Sequence, residues 1–238
     1  MNDRSSQKLL AQELCSLAHR CAARGWVPAT AGNFSFCESV EADADGRIFV
    51  SASGLDKGAM TPEDLLEIAL ETAAPGYRVV QAAAGLRPSA ETSLHAVIYR
   101  DRPEARAIAH VHSIWNTLLS QRHVQRWPRL GTVVLADYEL LKALDGIATH
   151  EHSEQIPILE NSQDYPALAE KLTQVLVQLP AAHGVLLHGH GLYTWGKSIA
   201  EVWRHIEALE FLFQVEARRQ MAGWECREGT NGKSPSPR

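Results

Sequence analysis

The order of apolar and polar positions along the chain predicts helices and strands that alternate. In six segments apolar residues recur every three or four positions, which is the spacing of one helix face. These predicted helices cover residues 5–25, 89–102, 113–122, 137–147, 164–179 and 198–223. Shorter apolar runs between turn signals predict strands at 47–53, 65–70, 106–113, 131–137 and 154–159, and two strands around a glycine turn within 184–196.

The interleaving of these elements indicates the fold class. The chain has no internal repeat and no linker-like change of composition, so one layered α/β or α+β domain is expected over residues 1–226. The segment 227–238 (REGTNGKSPSPR) is polar and lacks an apolar face. We expect this tail to be disordered.

Charge and composition exclude several classes of protein. The net charge is −5, and no stripe of lysine and arginine could neutralise a row of phosphates, so general nucleic-acid binding is not expected. No apolar run approaches the roughly 20 residues that span a bilayer, and the N-terminus lacks the apolar core of a secretory signal. The four cysteines form no C-x-x-C pair. Reduced thiols in a cytoplasmic protein are therefore expected.

The histidines are the first candidates for chemistry. Eleven occur in 238 residues, and six of them form His-x-His pairs at 110/112, 150/152 and 188/190. His110 and His112 end an apolar run that predicts a strand, and residues two apart in a strand point to the same face. Two imidazoles on one face suit a metal ion such as zinc, at a Zn–N distance of about 2.0–2.1 Å.

A third ligand would complete the open site of a catalytic zinc ion. The stretch HGHG offers His188 and His190, and strand geometry alone leaves both possible. The pair 150/152 lies in a polar, charged stretch and is expected to be a solvated loop. The remaining helical histidines are expected to be surface or packing residues: His95 and His205. Ligand type alone leaves iron, manganese and cobalt as alternatives to zinc.

Four stretches together resemble a known family. They are TAGNFSF, SASGLDKGAMTPEDLLEI, PSAETSLHAVIYRDRPEARAIAHVHS and HGHGLYTWGKSIAEVWRHIEALEFLF. Their content and order resemble the class II aldolase/adducin family over residues 8–220. The resemblance implies a three-layer α/β/α fold with a central, mainly antiparallel sheet. It also implies a homotetramer with sites near subunit interfaces, and one Zn²⁺ per subunit held by His110, His112 and His190.

Within the family, the chain is most similar to dehydratases of methionine salvage. The additional motifs are DYELLKAL, PILEN and HGLYTWG. The implied reaction removes water from a ketose 1-phosphate that carries a methylthio group. Glu139, which precedes an apolar pair and a lysine, is the first candidate for the acid/base. Glu91 is the second, because the family's sugar-phosphate aldolases have their acid/base glutamate at the matching helix start.

The substrate phosphate needs hydrogen-bond donors, which glycine loops and helix starts provide through backbone amides. The positions that match the family's phosphate and substrate contacts are Asn33, Ser53, Gly54 and Ser89. Lys57 and Lys142 are expected to be solvated.

Two rival functions remain at this stage. Aldolases and 4-epimerases of sugar phosphates use the same scaffold and metal site. These rivals differ from a dehydratase in whether the C3–C4 bond is cleaved or the C4 hydroxyl is lost. A metal-free interaction protein of the adducin type is the other rival. The complete set of three histidines argues against it.

Overall fold

The computed structural model describes residues 3–38, 47–71, 76–121 and 129–223, and in these ranges the chain forms five α-helices and nine β-strands. The helices are α1 (Asp3–Ala23), α2 (Thr92–Asp101), α3 (Ile114–Ser120), α4 (Tyr165–Gln178) and α5 (Ile199–Met221). The strands are β1 (Asn33–Cys37), β2 (Ile48–Ser51), β3 (Leu65–Leu70), β4 (Tyr77–Gln81), β5 (Ala107–Val111), β6 (Gly131–Ala136), β7 (Ser153–Leu159), β8 (Gly184–Leu187) and β9 (Leu192–Gly196). Two short 3-10 helices cover Pro62–Asp64 and Glu139–Ala143.

The described strands join one sheet in the order β4-β3-β2-β1-β5-β9-β8-β7-β6. Neighbouring strands are antiparallel except β7 and β8. A parallel pair needs a long crossover connection, and α4 provides it between β7 and β8. The predicted mainly antiparallel sheet is thus confirmed.

Helices cover both faces of the sheet. One core cluster joins α1, α3 and α5 to side chains such as Phe34 and Phe36 of β1. The other cluster joins α2 and α4 to side chains such as Ile108 of β5 and Tyr193 of β9. Because successive strand residues point to opposite faces, one sheet can supply both cores. The three-layer α/β/α prediction is confirmed.

The strand pairing defines two ends of the sheet, and the candidate residues divide between them. At one end lie Val111 of β5, Leu192 of β9 and Leu187 of β8, which are linked by strand pairing and by the β8–β9 turn. Strand β6 starts at this end and runs away from it, because Gly131 pairs with Ile158 and Ala136 with Ser153. The segment after β6 therefore lies at the opposite end.

Some local predictions were wrong. The helix predicted at 137–147 is only the 3-10 turn Glu139–Ala143, with extended backbone at Tyr138 and Leu144 on either side. The helix predicted at 89–102 covers only Thr92–Asp101. The Ser89 hydroxyl accepts the backbone N–H of Glu91 at 3.3 Å, in the turn before the helix.

Two strands were not predicted, for opposite reasons. Strand β1 is buried on both faces, and its polar residues Asn33 and Ser35 hide the apolar pattern. Strand β4 is a sheet edge whose residues are mostly exposed, so burial imposes little alternation on it.

The described part of the chain bears on two predictions, the absence of a membrane span and the reduced state of the cysteines. None of its helices is both long and apolar enough to cross a membrane. Cys15 and Cys21 are buried free thiols there, and Cys37 is buried in β1. Cys226, the predicted domain boundary at 226 and the predicted tail 227–238 lie outside the described residues, so that division of the chain stays a prediction.

Candidate metal centre

Three histidines meet where β5 ends and the β8–β9 turn returns to the sheet. His110 is in β5, His112 follows it, and His190 belongs to the turn. The Nε2 atom of His110 lies 2.8 Å from Nε2 of His112 and 3.4 Å from Nε2 of His190. Among the described residues, these three form the histidine, cysteine and carboxylate cluster that could hold a metal ion. His188, the alternative third ligand, is not in it.

The surroundings of His110 leave its Nε2 atom available to a metal. Its Nδ1 lies 3.0 Å from the carbonyl oxygen of Leu192, and a carbonyl only accepts, so Nδ1 carries the hydrogen and Nε2 a lone pair. The His110 ring stacks on Tyr193 with 3.9 Å between centroids. Burial lowers the pKa of His110 well below its usual range and that of His112 to about 4. Both are therefore neutral near pH 7, as ligation requires.

Gly191 lets the turn approach the histidines. A Cβ atom on Gly191 would lie 2.4 Å from the carbonyl oxygen of Val111, 2.9 Å from Cε1 of His110 and 3.3 Å from Cδ2 of His112. A side chain of any size would therefore push the turn away from β5. The second glycine of HGHG is needed for close packing beside the cluster.

Glu91 lies directly against this cluster. Its Oε1 is 3.0 Å from Nε2 of His190 and 3.7 Å from Nε2 of His110. Its Oε2 accepts hydrogen bonds from Nδ2 of Asn33 at 2.6 Å and from the Ser89 hydroxyl at 3.4 Å. Burial raises the pKa of Glu91, but the hydrogen bond from His190 and the neighbouring histidine charges outweigh it and lower the pKa to about 2.

The residues at this site fit a divalent metal ion. Three imidazoles with an adjacent carboxylate provide the nitrogen and oxygen donors of a zinc site with an open position. The Nδ1 hydrogen bond of His110 fixes its ring as such sites require. The Nε2 atom of His190 cannot donate to Glu91 and bind a metal at once, so metal binding would free Oε1 of Glu91 for another partner.

The candidate phosphate contacts border Glu91 on one side. The backbone of Ala52 pairs with Pro88, and the N–H of Ser53 donates to the carbonyl of Arg87 at 2.9 Å. The loop that holds Ser53 is therefore joined to the segment that holds Ser89. Gly54 is exposed and has φ of +77°, a left-handed backbone conformation that glycine adopts without strain.

Lys57 is not solvated, which corrects the prediction made for it. Its side chain is buried, and Nζ donates to the carbonyl oxygens of Leu55 at 3.0 Å and Thr30 at 3.3 Å. Burial lowers the pKa of Lys57, although the carboxylate of Glu91 opposes that shift. The sequence gave one weak sign that Lys57 is buried, namely its position directly before a glycine in a polar loop.

Glu139 is not part of this cluster within the described chain. It pairs with Lys142, and its Oε2 lies 3.9 Å from Nδ1 of His150; its side chain is 72% exposed. It follows β6, at the sheet end opposite the histidines, and five steps along that strand amount to about 17 Å. One chain therefore brings Glu91 to the histidines and leaves Glu139 at the far end.

The pair 150/152 forms no metal cluster in the described residues. The His150 side chain is 55% exposed, and Nε2 of His152 lies 3.2 Å from the buried carboxylate of Glu154. His95, in contrast, was expected to pack or be solvated, and it is fully buried and contacts Asn33. Its position in a helix gave no sign of a link to the site.

Comparison with known proteins places this geometry in a family. Residues 12–217 match the model of the class II aldolase and adducin N-terminal domain. A methylthioribulose-1-phosphate dehydratase of Methylococcus capsulatus is 47% identical over 212 residues, which are 87% of this chain and 93% of the relative. One from Klebsiella pneumoniae is 42% identical over 214 residues, which are 90% of this chain and 97% of the relative.

Solved structures match the fold. The protein YgbL of Klebsiella pneumoniae superimposes with a TM-score of 0.70 at 19% identity, over 95% of this chain and 93% of that one. An L-fuculose-1-phosphate aldolase of Thermus thermophilus superimposes with a TM-score of 0.67 at 24% identity, over 92% of this chain and 99% of that one. At these identities the likeness concerns the fold alone.

Proposed function

Because the chain belongs to the class II aldolase and adducin family, we propose that it is a metal-dependent dehydratase of 5-methylthioribulose 1-phosphate. The dehydratases that match it at 40–47% identity over most of its length carry this name. The observation that supports the proposal most directly is the cluster of His110, His112 and His190 with Glu91 beside it. The place of the enzyme would be methionine salvage in the cytoplasm.

The reaction removes one water molecule without any change of oxidation state overall. The C3 proton, which is acidified by the C2 carbonyl, leaves to a base, and an enediolate forms. The C4 hydroxyl then leaves with a proton as water. The resulting C3 enol becomes a ketone, which gives 2,3-diketo-5-methylthiopentyl 1-phosphate.

The three histidines would hold one Zn²⁺ per subunit. When bound, zinc supplies Lewis-acid stabilisation of the negative charge that develops on the substrate carbonyl oxygen. The neutral imidazoles of His110 and His112 suit this ion, and Oε1 of Glu91 lies 3.0 Å from Nε2 of His190. Zinc content by elemental analysis should be close to one per subunit and should fall in His110→Ala and His190→Ala.

Glu139 and Glu91 would have different duties. Glu139 is the proposed acid/base, which takes the C3 proton and delivers one to the departing C4 hydroxyl. Glu91 has its Oε2 held by Asn33 and would accept a hydrogen bond from a substrate hydroxyl through Oε1. Oε1 lies 3.0 Å from Nε2 of His190 and 3.7 Å from Nε2 of His110, so it faces the place where the substrate would meet the metal.

Glu139 can reach the histidines only from another copy of the chain. This follows from its position at the opposite end of the sheet. Apolar side chains are exposed at both places: Ile114 and Leu118 on α3 beside the cluster, and Val134 and Leu140 near Glu139. Contact between these two unlike surfaces would be head-to-tail, and head-to-tail contacts form a closed ring when the rotation between subunits closes. A homotetramer with shared sites is therefore proposed.

The phosphate would bind at the loops that border Glu91. Asn33, Ser53, Gly54 and Ser89 are the proposed contacts, with exposed backbone at Gly54 allowing close approach. Lys57 adds a positive charge behind this loop, although its Nζ is occupied by two backbone carbonyls. Its proposed effect on an anionic substrate is electrostatic.

The decisive experiment supplies the purified zinc-loaded protein with 5-methylthioribulose 1-phosphate and follows the products by NMR. The diketone is the expected product, and a chelator should abolish its formation until zinc is restored. Release of a triose phosphate would contradict the proposal in favour of an aldolase. A new ketose phosphate of unchanged mass would contradict it in favour of an epimerase.

Deuterium exchange at C3 of the substrate in D₂O distinguishes the roles of Glu139 and Glu91. Glu139→Gln should abolish both turnover and exchange into unreacted substrate, with a loss of turnover of about 10²–10⁴-fold. Glu91→Gln should lower turnover and still permit exchange. The reverse pattern would show that Glu91 is the base.

A further inference from the structure

A line of buried polar side chains runs inward from Glu91 between β1 and α2. Asn33 contacts Glu91, the His95 ring contacts Asn33 through Nε2, and Nδ1 of His95 lies 2.7 Å from the Ser35 hydroxyl. The Ser35 hydroxyl lies 2.9 Å from that of Tyr99. Asn33, Ser35, His95 and Tyr99 are all buried, so protein partners must satisfy these groups.

The donors in this line can be assigned from its outer end. An ionised Glu91 only accepts, so Asn33 donates through Nδ2 and turns Oδ1 towards His95. That oxygen only accepts, so Nε2 of His95 carries the hydrogen. Nδ1 of His95 must then accept from the Ser35 hydroxyl, and the Tyr99 hydroxyl donates to Ser35. Every hydrogen bond in the line points towards Glu91.

We propose that His95 is a positioning residue for Glu91 and acts through the side-chain amide of Asn33. The hydrogen on Nε2 of His95 holds the amide oxygen of Asn33, so the amide nitrogen faces the carboxylate. Oε2 of Glu91 is thereby fixed, and Oε1 stays turned to the histidine cluster. This inference rests on the proposed function, in which Glu91 binds a substrate hydroxyl.

The burial of His95 supports a fixed neutral ring. Its side chain is fully buried, and this burial lowers the pKa to about 3 against the opposing charge of Glu91. Without the Nε2 hydrogen, the Asn33 amide could rotate and present its oxygen to Glu91. Two acceptors would then face each other in a buried place, which is costly.

Substitutions test the link through kinetics. His95→Phe keeps an aromatic ring without donors, and kcat per bound zinc should fall about 10- to 100-fold, as for other residues that orient catalytic groups. His95→Gln retains an N–H donor and should recover most of the loss. Tyr99→Phe is the matched control, because it removes the far end of the same line and leaves the His95–Asn33 contact in place; its kcat should stay near that of the wild type.

The pattern across these variants separates positioning from general stability. Positioning predicts that kcat falls while zinc content and the KM of the substrate are retained. An unchanged kcat in His95→Phe, or a loss in His95→Gln and Tyr99→Phe as large as that in His95→Phe, would overturn the proposal. If His95→Phe does not fold, a large loss of kcat in Tyr99→Phe would still contradict the proposal, and the direct measurement below decides.

Neutron diffraction from crystals of the perdeuterated unaltered protein tests the hydrogen positions directly. Deuterium on Nε2 of His95, with the Asn33 nitrogen facing Glu91, is expected. Deuterium on Nδ1, or the opposite amide orientation, would overturn the proposal whether or not the protein is a dehydratase. Absence of turnover in the unaltered protein would count against the proposed function. The neutron result would then still test whether His95 positions Glu91.

Discussion

At the scale of single residues, Glu210 is a carboxyl that the proposed reaction does not use. It lies on α5, is buried, and accepts a hydrogen bond from Nδ2 of Asn116 at 2.8 Å. The same amide nitrogen lies 3.2 Å from the carbonyl oxygen of Val111, next to His112. Glu210 thus connects the last helix, through Asn116, to the end of the strand that bears His110.

Burial raises the pKa of Glu210 to about 7, and this shift makes stability depend on pH. Between pH 4.5 and 7 the unfolded chain loses this proton while the folded chain keeps it, so the free energy of unfolding falls as pH rises. Glu210→Gln removes the titration and keeps an acceptor for Asn116. Relative to the wild type, its stability should rise by on the order of 2 kcal/mol from about pH 5 to about pH 8.

Urea unfolding at the two pH values measures this change. Glu207→Gln is the control, because Glu207 is partly exposed and pairs with Arg24 on the surface, where a small effect on stability is expected. Parallel pH profiles for Glu210→Gln and the wild type would show that Glu210 is ionised in the folded protein.

At the scale of elements, the β8–β9 turn determines where His190 lies. Gly191 is in contact distance of β5, whereas the neighbouring Gly189 has no atom closer than 3.9 Å to the position of a Cβ. Gly189 is needed for a different reason, its left-handed φ of +62°. Gly191 is therefore needed for close packing against β5, and Gly189 for its left-handed backbone conformation.

Gly191→Ala should displace the turn and weaken metal binding about 10- to 100-fold, because His190 moves relative to the other ligands. Zinc affinity measured by competition with a chromophoric chelator checks this. Gly189→Ala should destabilise the fold by about 1 kcal/mol through backbone strain and leave zinc affinity unchanged. Equal zinc affinities for Gly191→Ala and the wild type would show that the turn does not set the ligand geometry.

At the scale of the whole molecule, the two candidate halves of the site lie at opposite ends of one sheet. The histidines and Glu91 form one half, and Glu139 with Lys142 forms the other. In the isolated chain the hydrogen bond from Lys142 lowers the pKa of Glu139. Burial against a neighbouring subunit would act in the opposite direction, towards the range that suits proton transfer.

Mixed oligomers test the sharing of sites between subunits. His110→Ala and Glu139→Gln chains should each be inactive alone, and co-assembly after unfolding should restore activity. With random mixing, about one quarter of the sites would combine an intact cluster with an intact Glu139. No recovery in oligomers proven to contain both chains would contradict a shared site.

The local pattern was sufficient to predict most elements and to bring His110 and His112 together as candidate metal ligands. Helices such as α4 and α5 keep one apolar face over several turns, so their periodicity is strong. His110 and His112 are two apart at the end of an apolar strand, which already directs both rings to one place. Predictions were wrong at 137–147 and for Lys57, where contacts from distant segments decide the structure.

The sequence by itself determined the layered α/β class, the family and the candidate residues for the proposed chemistry, because motifs and periodicity are local properties. Only the tertiary structure shows that His190, and not His188, lies beside His110 and His112. It also shows that Lys57 is buried and that His95 is linked to Glu91 through Asn33. It also separated Glu139 from the histidines within one chain. The physical reason is that strand order and direction decide which distant segments meet, and no local pattern records them.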